Sequence, residues 1–181
     1  MSQDRYVLLD RDGVINHDSD DFIKTPEQWH ALDGSLEAIA LLNSHGYKVA
    51  VITNQSGLAR GLFDQATLDS IHAKMLQLSS EKGGKIAAIY VCPHAPDSDC
   101  WCRKPKPGLL QAFAAEHDVE LADTVFIGDA LRDVQAALAA GAQPILVKTG
   151  KGELTLAANP DLNIPIFNTL YDAARSLVSR Q

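Results

Sequence analysis

Two aspartates follow the first apolar segment of the chain with a single residue between them. In YVLLDRDGVIN the apolar run ends at Asp10, and Asp12 follows one residue later. Like charges this close repel each other, so either one carboxyl group takes up a proton or a cation lies between them. Mg²⁺ suits a site that has few protein ligands and an incoming phosphate. The pair therefore favours a site for a divalent cation and a phosphate.

Polar residues also end two later apolar segments. Thr53 and Asn54 end KVAVITN, and Asp129 ends TVFIGD. The carboxyl ends of parallel strands meet at one edge of an open α/β sheet, which is where ligands bind. Side chains at positions i and i+2 of a strand point the same way, so Asp10 and Asp12 face a common space if the strand geometry persists. An isolated D-x-D is often only a solvated loop, but several coincident strand ends favour a shared site.

Positive charge for a phosphate is available further along the chain. Arg103 and Lys104 lie in CRKPKPG, between the third apolar segment and the next helical pattern. Both side chains bind phosphate oxygens well. A charge pair in a loop is usually solvated surface, but the surrounding residues favour a functional role here.

All three cysteines lie with one histidine inside residues 92–102, in CPHAPDSDCWC. Cys92, His94, Cys100 and Cys102 supply the donors of a tetrahedral Cys3His zinc site. A disulfide between Cys100 and Cys102 is the alternative, but it would be strained and would leave Cys92 unpaired. Four protein ligands leave no open position for chemistry, so we expect a structural zinc that fixes the loop before the two cations.

The elements that must position these residues alternate between strands and amphipathic helices. Apolar strands are predicted at residues 6–10, 48–54, 85–92, 124–129 and 144–148, with PIFNT as a candidate sixth. Helical patterns lie between them, one capped by Asp64, one begun at Pro107 and one closed by Gly141, and a last helix follows the sixth strand. Residues 149–163 are predicted to form an exposed loop. This alternation predicts a Rossmann-like, mainly parallel α/β sheet flanked by helices.

Length and charge narrow the class of protein. The 181 residues suit one domain, 1–181, with the zinc loop 92–102 inside it, and no long insert leaves room for a large cap domain. The net charge of -7 argues against nucleic acid or an anionic membrane as the main partner. No apolar stretch approaches the ~20 residues that span a bilayer, and the N-terminus lacks a signal-peptide pattern. We expect a cytoplasmic monomer that acts on a small molecule.

Four motifs carry a specific resemblance. DRDGVIN, ITNQSGLARG, CRKPKPG and IGDALRD resemble, in this order, the four motifs of the haloacid dehalogenase (HAD) superfamily of phosphotransferases. Within it, ITNQSGLARG followed by the cysteine loop is similar to the family of D-glycero-D-manno-heptose-1,7-bisphosphate 7-phosphatases. The resemblance implies Mg²⁺-dependent hydrolysis of the 7-phosphate through an aspartyl-phosphate, in the synthesis of lipopolysaccharide core precursors. It also implies a structural Zn²⁺ in the cysteine loop.

The residues alone leave open which of the two aspartates is the nucleophile. The resemblance implies that Asp10 attacks phosphorus, while Asp12 protonates the leaving sugar oxygen and later deprotonates the hydrolytic water. It implies that Thr53 and Lys104 hold the phosphoryl oxygens. Mg²⁺ would be bound by the Asp10 side chain, the Asp12 carbonyl and Asp129. The expected substrate-binding residues are Asp18, Asn54, Gln55, Ser56 and Arg103.

Several alternatives remain open at this point. Ala130 stands where many members of this family carry a lysine, which removes a charged contact and leaves the anomer preference and strict heptose specificity unsettled. Histidinol-phosphate phosphatases share the DRDG opening and the zinc loop, and another small sugar-phosphate substrate is a further candidate. A receiver-like phospho-acceptor domain and a zinc-organised interaction module without activity are the non-enzyme alternatives.

We assign no catalytic role to the scattered histidines His17, His30, His45, His72 and His117.

Overall fold

Six strands form one parallel sheet in the computed structural model, which describes residues 4–180. The strands are β1 (Arg5–Leu9), β2 (Tyr47–Asn54), β3 (Ile86–Cys92), β4 (Val125–Gly128), β5 (Gln143–Val147) and β6 (Ile166–Phe167). Their order across the sheet is β3-β2-β1-β4-β5-β6, and every neighbouring pair is parallel. The predicted α/β class and the candidate sixth strand are confirmed.

In the described residues, six α-helices flank this sheet. They are α1 (Ser35–Ser44), α2 (Gln65–Glu81), α3 (Gly108–His117), α4 (Leu131–Ala140), α5 (Gly152–Ala158) and α6 (Leu170–Val178). The carboxylate of Asp64 accepts a hydrogen bond from the backbone N–H of Thr67 at 2.8 Å, which caps α2 as predicted. Gly141 ends α4 with φ of 78°, a left-handed conformation that glycine adopts without strain.

The sheet is buried on both faces, which explains its almost continuous apolar strands. Val7 and Leu9 of β1 belong to a core with residues of α1, α2 and α6. Tyr6 and Leu8 of the same strand belong to a second core with residues of α3 and α4. The strand interiors are therefore apolar, and polar side chains lie at the strand ends, where the chain leaves the two cores.

The prediction of an exposed loop at residues 149–163 was wrong, because this segment contains α5. A Cβ on Gly152 would lie 1.8 Å from the carbonyl oxygen of Val147, so only glycine allows the helix to begin this close to β5. The hydroxyl of Thr155 donates to the carbonyl oxygen of Asp129 at 2.9 Å, which ties the helix to the end of β4. The Glu, Leu and Ala residues of this segment favour helix. The helix has only seven residues, however, which are too few to show helical periodicity in the sequence.

Within residues 4–180, loops and not a large cap domain cover the carboxyl edge of the sheet. Between β1 and α1 the chain forms a loop with one short 3₁₀ helix (Pro26–Gln28), and between β2 and α2 it forms a shorter loop. None of the helices in residues 4–180 combines the length and apolar character needed to cross a membrane. The loops and the cysteine segment that follows β3 therefore shape the cleft at this edge.

Candidate active site

Three buried carboxyl groups meet at the carboxyl edge of the sheet. Asp10 follows β1 and Asp129 follows β4, and these strands are paired with Leu9 opposite Ile127. Asp133 joins them from the first turn of α4, and oxygens of the three carboxyl groups lie within 4.8 Å of one another. The structure thus brings together the two aspartates that the strand ends predict and adds a third from the next helix.

Lys104 lies among these carboxyl groups with 1% of its side chain exposed. Its Nζ is 2.9 Å from Asp10 Oδ1 and 2.8 Å from Asp133 Oδ1, and it donates to the carbonyl oxygen of Ile52. Burial alone would lower the pKa of Lys104, but Asp10 and Asp133 outweigh burial and raise it. The amide of Asn54 holds the backbone of Lys104 through two hydrogen bonds, of 3.1 and 3.2 Å. A charged lysine is therefore fixed beside the aspartates.

One lysine does not neutralise three carboxyl groups. Burial and the charge of Asp133 raise the pKa of Asp10 well above its usual range, although Lys104 opposes this. The same two causes, in the same order, raise the pKa of Asp129 to about 6. The Asp129 carboxyl lies so close to the backbone of Gly13 that a Cβ there would be 2.1 Å from its Oδ2. A set of donors made only of carboxylate oxygens, with surplus negative charge, fits Mg²⁺.

The second aspartate of the DRDG motif has a different environment. Arg11 donates to both carboxylate oxygens of Asp12, at 2.9 and 3.2 Å from its Nη2. The amides of Asn16 and Gln55 donate to the same carboxylate at 2.9 and 2.8 Å. Burial favours the protonated form, but Arg11 and these hydrogen bonds together lower the pKa of Asp12. Neighbouring carboxyl groups whose pKa values are driven apart are typical of a site that divides two chemical roles between them.

A cleft of about 240 Å³ opens beside this cluster. The predicted substrate-binding residues line it together with three of the predicted catalytic ones: Asp10, Asp12, Asp18, Asn54, Gln55, Ser56, Arg103 and Lys104. Thr53 is fully buried, and its hydroxyl accepts a hydrogen bond from the Gln55 amide at 2.9 Å. It lies next to the cleft residues in sequence but not in the cleft wall.

Sequence reasoning missed two further cations of the cleft, Arg132 and Lys151. Arg132 belongs to the IGDALRD motif, so its position could have been noticed there. The backbone N–H of Lys151 donates to Asp129 Oδ2 at 2.8 Å, and its Nζ lies 3.5 Å from Asp18 Oδ2. Together with Arg60, Arg103 and Lys104 they give the wall of the cleft five cations.

Arg11 and His72 form a buried pair that the sequence did not indicate. Arg11 is fully buried, and its Nη1 lies 3.2 Å from Nε2 of His72 on α2. His72 is one of the scattered histidines to which the sequence assigned no catalytic role. The signal that could have placed it inward is its position directly after Ile71, on the apolar face of α2.

The cysteine loop places its four predicted ligands together. Sγ of Cys92 is 3.8 Å from Sγ of Cys100 and 3.6 Å from Nδ1 of His94, which is 3.2 Å from Sγ of Cys102. All three cysteines are free, so the alternative of a disulfide between Cys100 and Cys102 was wrong. Zn–S bonds of about 2.3 Å in a tetrahedron set neighbouring sulfurs about 3.8 Å apart. The cluster is therefore compatible with zinc.

The fold and the acidic site are those of the HAD-like hydrolases, and comparisons with known proteins agree. A HAD-hydrolase-like family model matches residues 101–173. A D-glycero-β-D-manno-heptose-1,7-bisphosphate 7-phosphatase of Pseudomonas putida is 51% identical over 174 residues, which cover 96% of this chain and 99% of that protein. The same enzyme of Bordetella bronchiseptica is 54% identical over 153 residues, which cover 84% of this chain and 86% of that one.

A crystal structure is similar over almost the whole chain. It is the D,D-heptose 1,7-bisphosphate phosphatase of B. bronchiseptica in complex with magnesium and phosphate, with a TM-score of 0.95 and 48% identity over 98% of this chain and 99% of that one. This chain belongs to the family of D-glycero-β-D-manno-heptose-1,7-bisphosphate 7-phosphatases. The resemblance inferred from the four motifs is thereby confirmed.

Proposed function

We propose that this protein is a Mg²⁺-dependent phosphatase that hydrolyses the 7-phosphate of D-glycero-β-D-manno-heptose 1,7-bisphosphate in the cytoplasm. The observation that carries the proposal is the placement of Lys104 within 2.9 Å of Asp10, beside the carboxyl groups of Asp129 and Asp133. Relatives that carry this activity in their names support the substrate. The similar crystal structure, which holds magnesium and phosphate, supports the metal.

Asp10 acts as the nucleophile. Its carboxylate oxygen attacks phosphorus, the bond from phosphorus to the sugar oxygen breaks, and an aspartyl-phosphate forms. Arg11 and the neighbouring amides lower the pKa of Asp12, so it is ionised in the free protein. The negative charge of a bound phosphate raises this pKa, and Asp12 takes up a proton from solvent. It gives this proton to the departing sugar oxygen and then accepts a proton from the water that attacks the aspartyl-phosphate. Phosphate leaves and Asp10 is restored. The Gln55 amide, which lies in the cleft wall, donates a hydrogen bond to Asp12. This contact supports the role of Asp12, because it holds the carboxyl group of Asp12 at the cleft.

Charge neutralisation falls to Lys104 and to the metal. Lys104 and the Thr53 hydroxyl hold the equatorial phosphoryl oxygens, where negative charge is spread in the transition state. The Asp10 side chain, the Asp12 carbonyl and Asp129 would hold Mg²⁺, while Asp133 neutralises and orients Lys104. When bound, Mg²⁺ supplies positive charge that favours the ionised form of Asp10 and stabilises the transferring phosphoryl group.

Substrate recognition is assigned to the polar wall of the cleft. Asp18, Gln55 and Ser56 offer hydrogen-bonding groups to sugar hydroxyls, and Arg103 offers charge to a phosphate. Arg103 Nη1 donates to the carbonyl oxygen of His94 at 3.2 Å, which links it to the cysteine loop. We propose that Zn²⁺, bound by the four ligands of that loop, has a structural role and holds Arg103 and Lys104 in place.

Phosphate release from heptose bisphosphate, histidinol phosphate and a panel of sugar phosphates tests the proposal. We expect heptose bisphosphate to be the preferred substrate, with activity lost on chelation of Mg²⁺ and restored by adding it. Asp10→Asn should abolish turnover, and the control Asp161→Asn, at an exposed position, should retain it. Equal or faster turnover of histidinol phosphate would overturn the substrate. A stable phosphoprotein without turnover would instead indicate a receiver-like domain.

A further inference from the structure

Arg11, between the two aspartates of DRDG, is a buried cation that the proposed mechanism leaves without a role. It is fully buried and is not part of the cleft wall, and its guanidinium is directed to Asp12 and His72. Its Nε and Nη2 donate to Asp12 Oδ1 at 3.1 and 2.9 Å. Its Nη1 points the other way, to Nε2 of His72 at 3.2 Å. Arg11 thus connects Asp12 to helix α2.

His72 is a suitable acceptor for this guanidinium. Burial, and next the charge of Arg11, lower the pKa of His72 to about 4, so the ring is neutral and Nε2 can accept the hydrogen bond. The ring lies on the buried face of α2 between Leu68 and Met75. Because a guanidinium is planar and its donors have fixed directions, fixing Nη1 also fixes the side that faces Asp12.

We propose that Arg11 is a positioning residue for Asp12 and that His72 supports it from α2. This inference rests on the proposed function, in which Asp12 transfers the proton. A group that transfers a proton must be held close to its productive geometry by side chains that are themselves fixed. Asn16 and Gln55 hold the same carboxylate, but only Arg11 contacts both of its oxygens and the helix behind.

Substrates with different leaving groups can distinguish a positioning role of Arg11 from a purely structural one. A sugar alkoxide needs a proton from Asp12 to depart, whereas p-nitrophenolate departs without one. Formation of the aspartyl-phosphate from a sugar phosphate should therefore depend on the orientation of Asp12. Its formation from p-nitrophenyl phosphate should not. General loss of structure would slow both reactions equally.

The first experiment measures first-turnover rates by rapid quench with heptose bisphosphate and with p-nitrophenyl phosphate. We expect Arg11→Met to slow the reaction of the sugar phosphate about 100-fold, within the range of general acid catalysis, and to leave the aryl phosphate within about 3-fold of the wild type. His72→Leu should shift the ratio of the two rates in the same direction by about 10-fold, because His72 affects the general acid Asp12 only through Arg11. His72→Gln, which keeps an acceptor, should restore it. Met75→Leu is the control on the same buried face of α2.

A double-mutant cycle provides the second measurement. If Arg11 acts only through Asp12, Asp12→Asn should itself slow the sugar phosphate selectively, and adding Arg11→Met to that variant should slow the sugar phosphate no further. Additive losses, or equal losses on both substrates, would overturn the inference. If Arg11→Met fails to fold, the contrast between His72→Leu and His72→Gln decides: equal ratios in the two would refute it. Wild-type protein inactive on every sugar phosphate would defeat the proposed function itself.

Discussion

The acidic site and the cysteine loop bring their candidate metal ligands together by opposite routes. The acidic site joins residues from remote parts of the chain, since Asp10 follows β1, Lys104 lies before α3 and Asp129 follows β4. The cysteine loop takes all four of its candidate ligands from residues 92–102. The geometry of the first depends on strand register and helix packing across the whole sheet. The geometry of the second needs little beyond its own turns and a metal.

The two regions also differ in how their negative charge is offset. The acidic site contains its own cation, because Lys104 lies within 2.9 Å of Asp10 and 2.8 Å of Asp133. The sulfur of Cys100 has instead backbone hydrogen bonds: burial opposes ionisation, but the N–H groups of Arg103 and Cys102 lower the pKa of Cys100 to about 6. We therefore expect loss of metal to disturb the cysteine loop more than the acidic site.

Removal of one thiolate is the strongest test of this contrast. Cys100→Ser should abolish zinc binding, and structural zinc sites contribute on the order of 10 kcal/mol to local order. Proteolysis within residues 92–102 should accelerate. Stabilisation by Mg²⁺ should persist, because its proposed ligands Asp10 and Asp129 are positioned by β1 and β4 and not by the cysteine loop. Native mass spectrometry and limited proteolysis measure both effects. Asp97→Asn, an exposed position in the same loop, is the control; loss of the Mg²⁺ effect in Cys100→Ser would break the comparison.

The second test removes the internal cation of the acidic site. Lys104→Met leaves two buried carboxylates without their partner, which costs about 3–5 kcal/mol. Urea unfolding should show this loss without Mg²⁺ and a smaller loss with it, because the metal then offsets the same charges. Lys106→Met is the control, since Lys106 is 48% exposed and its ion pair with Asp99 is a surface one. Equal losses for both variants would contradict the buried pairing.

The sequence indicated both sites for related reasons. Asp10 and Asp129 stand where apolar strands end, and the topology of a parallel sheet brings such ends together. The cysteine ligands were visible because they are close in the chain and chemically distinctive. Charge, periodicity and spacing were sufficient to predict a site residue wherever its type contrasts with the apolar core residues beside it.

The contacts that the sequence could not supply are long-range pairings of ordinary residues. Arginine is mostly exposed, so nothing in DRDG indicated that Arg11 would be buried against a histidine far along the chain. The helix α5 was missed because its packing against β5 and Asp129 decides its structure, and its composition alone does not. Tertiary packing, which a single sequence does not display, determines both features.

A third test addresses the buried pair of Arg11 and His72, which supports the acidic site and has no part in the cysteine loop. The pKa of His72 is about 4 in the folded protein, lowered first by burial and then by Arg11, against about 6.5 when unfolded. Between these values the unfolded state binds more protons, so stability is full above pH 6.5 and is lost as pH falls towards 4, by up to about 3 kcal/mol. His72→Gln should flatten this acid limb in urea unfolding, whereas His30→Gln at an exposed position should not.

The smallest effect concerns the helix that the sequence did not predict. Thr155→Val removes the hydroxyl that donates to the carbonyl oxygen of Asp129 and should lower the free energy of unfolding by about 1–2 kcal/mol, because that oxygen is left without its partner. Leu154→Ala on the same helix should change it by less than about 0.5 kcal/mol, since Leu154 is 73% exposed. Magnesium affinity, measured by calorimetry, should fall only in Thr155→Val, because this contact holds the backbone of a proposed ligand. Equal affinity in both variants would show that α5 packs beside the acidic site without helping to order it.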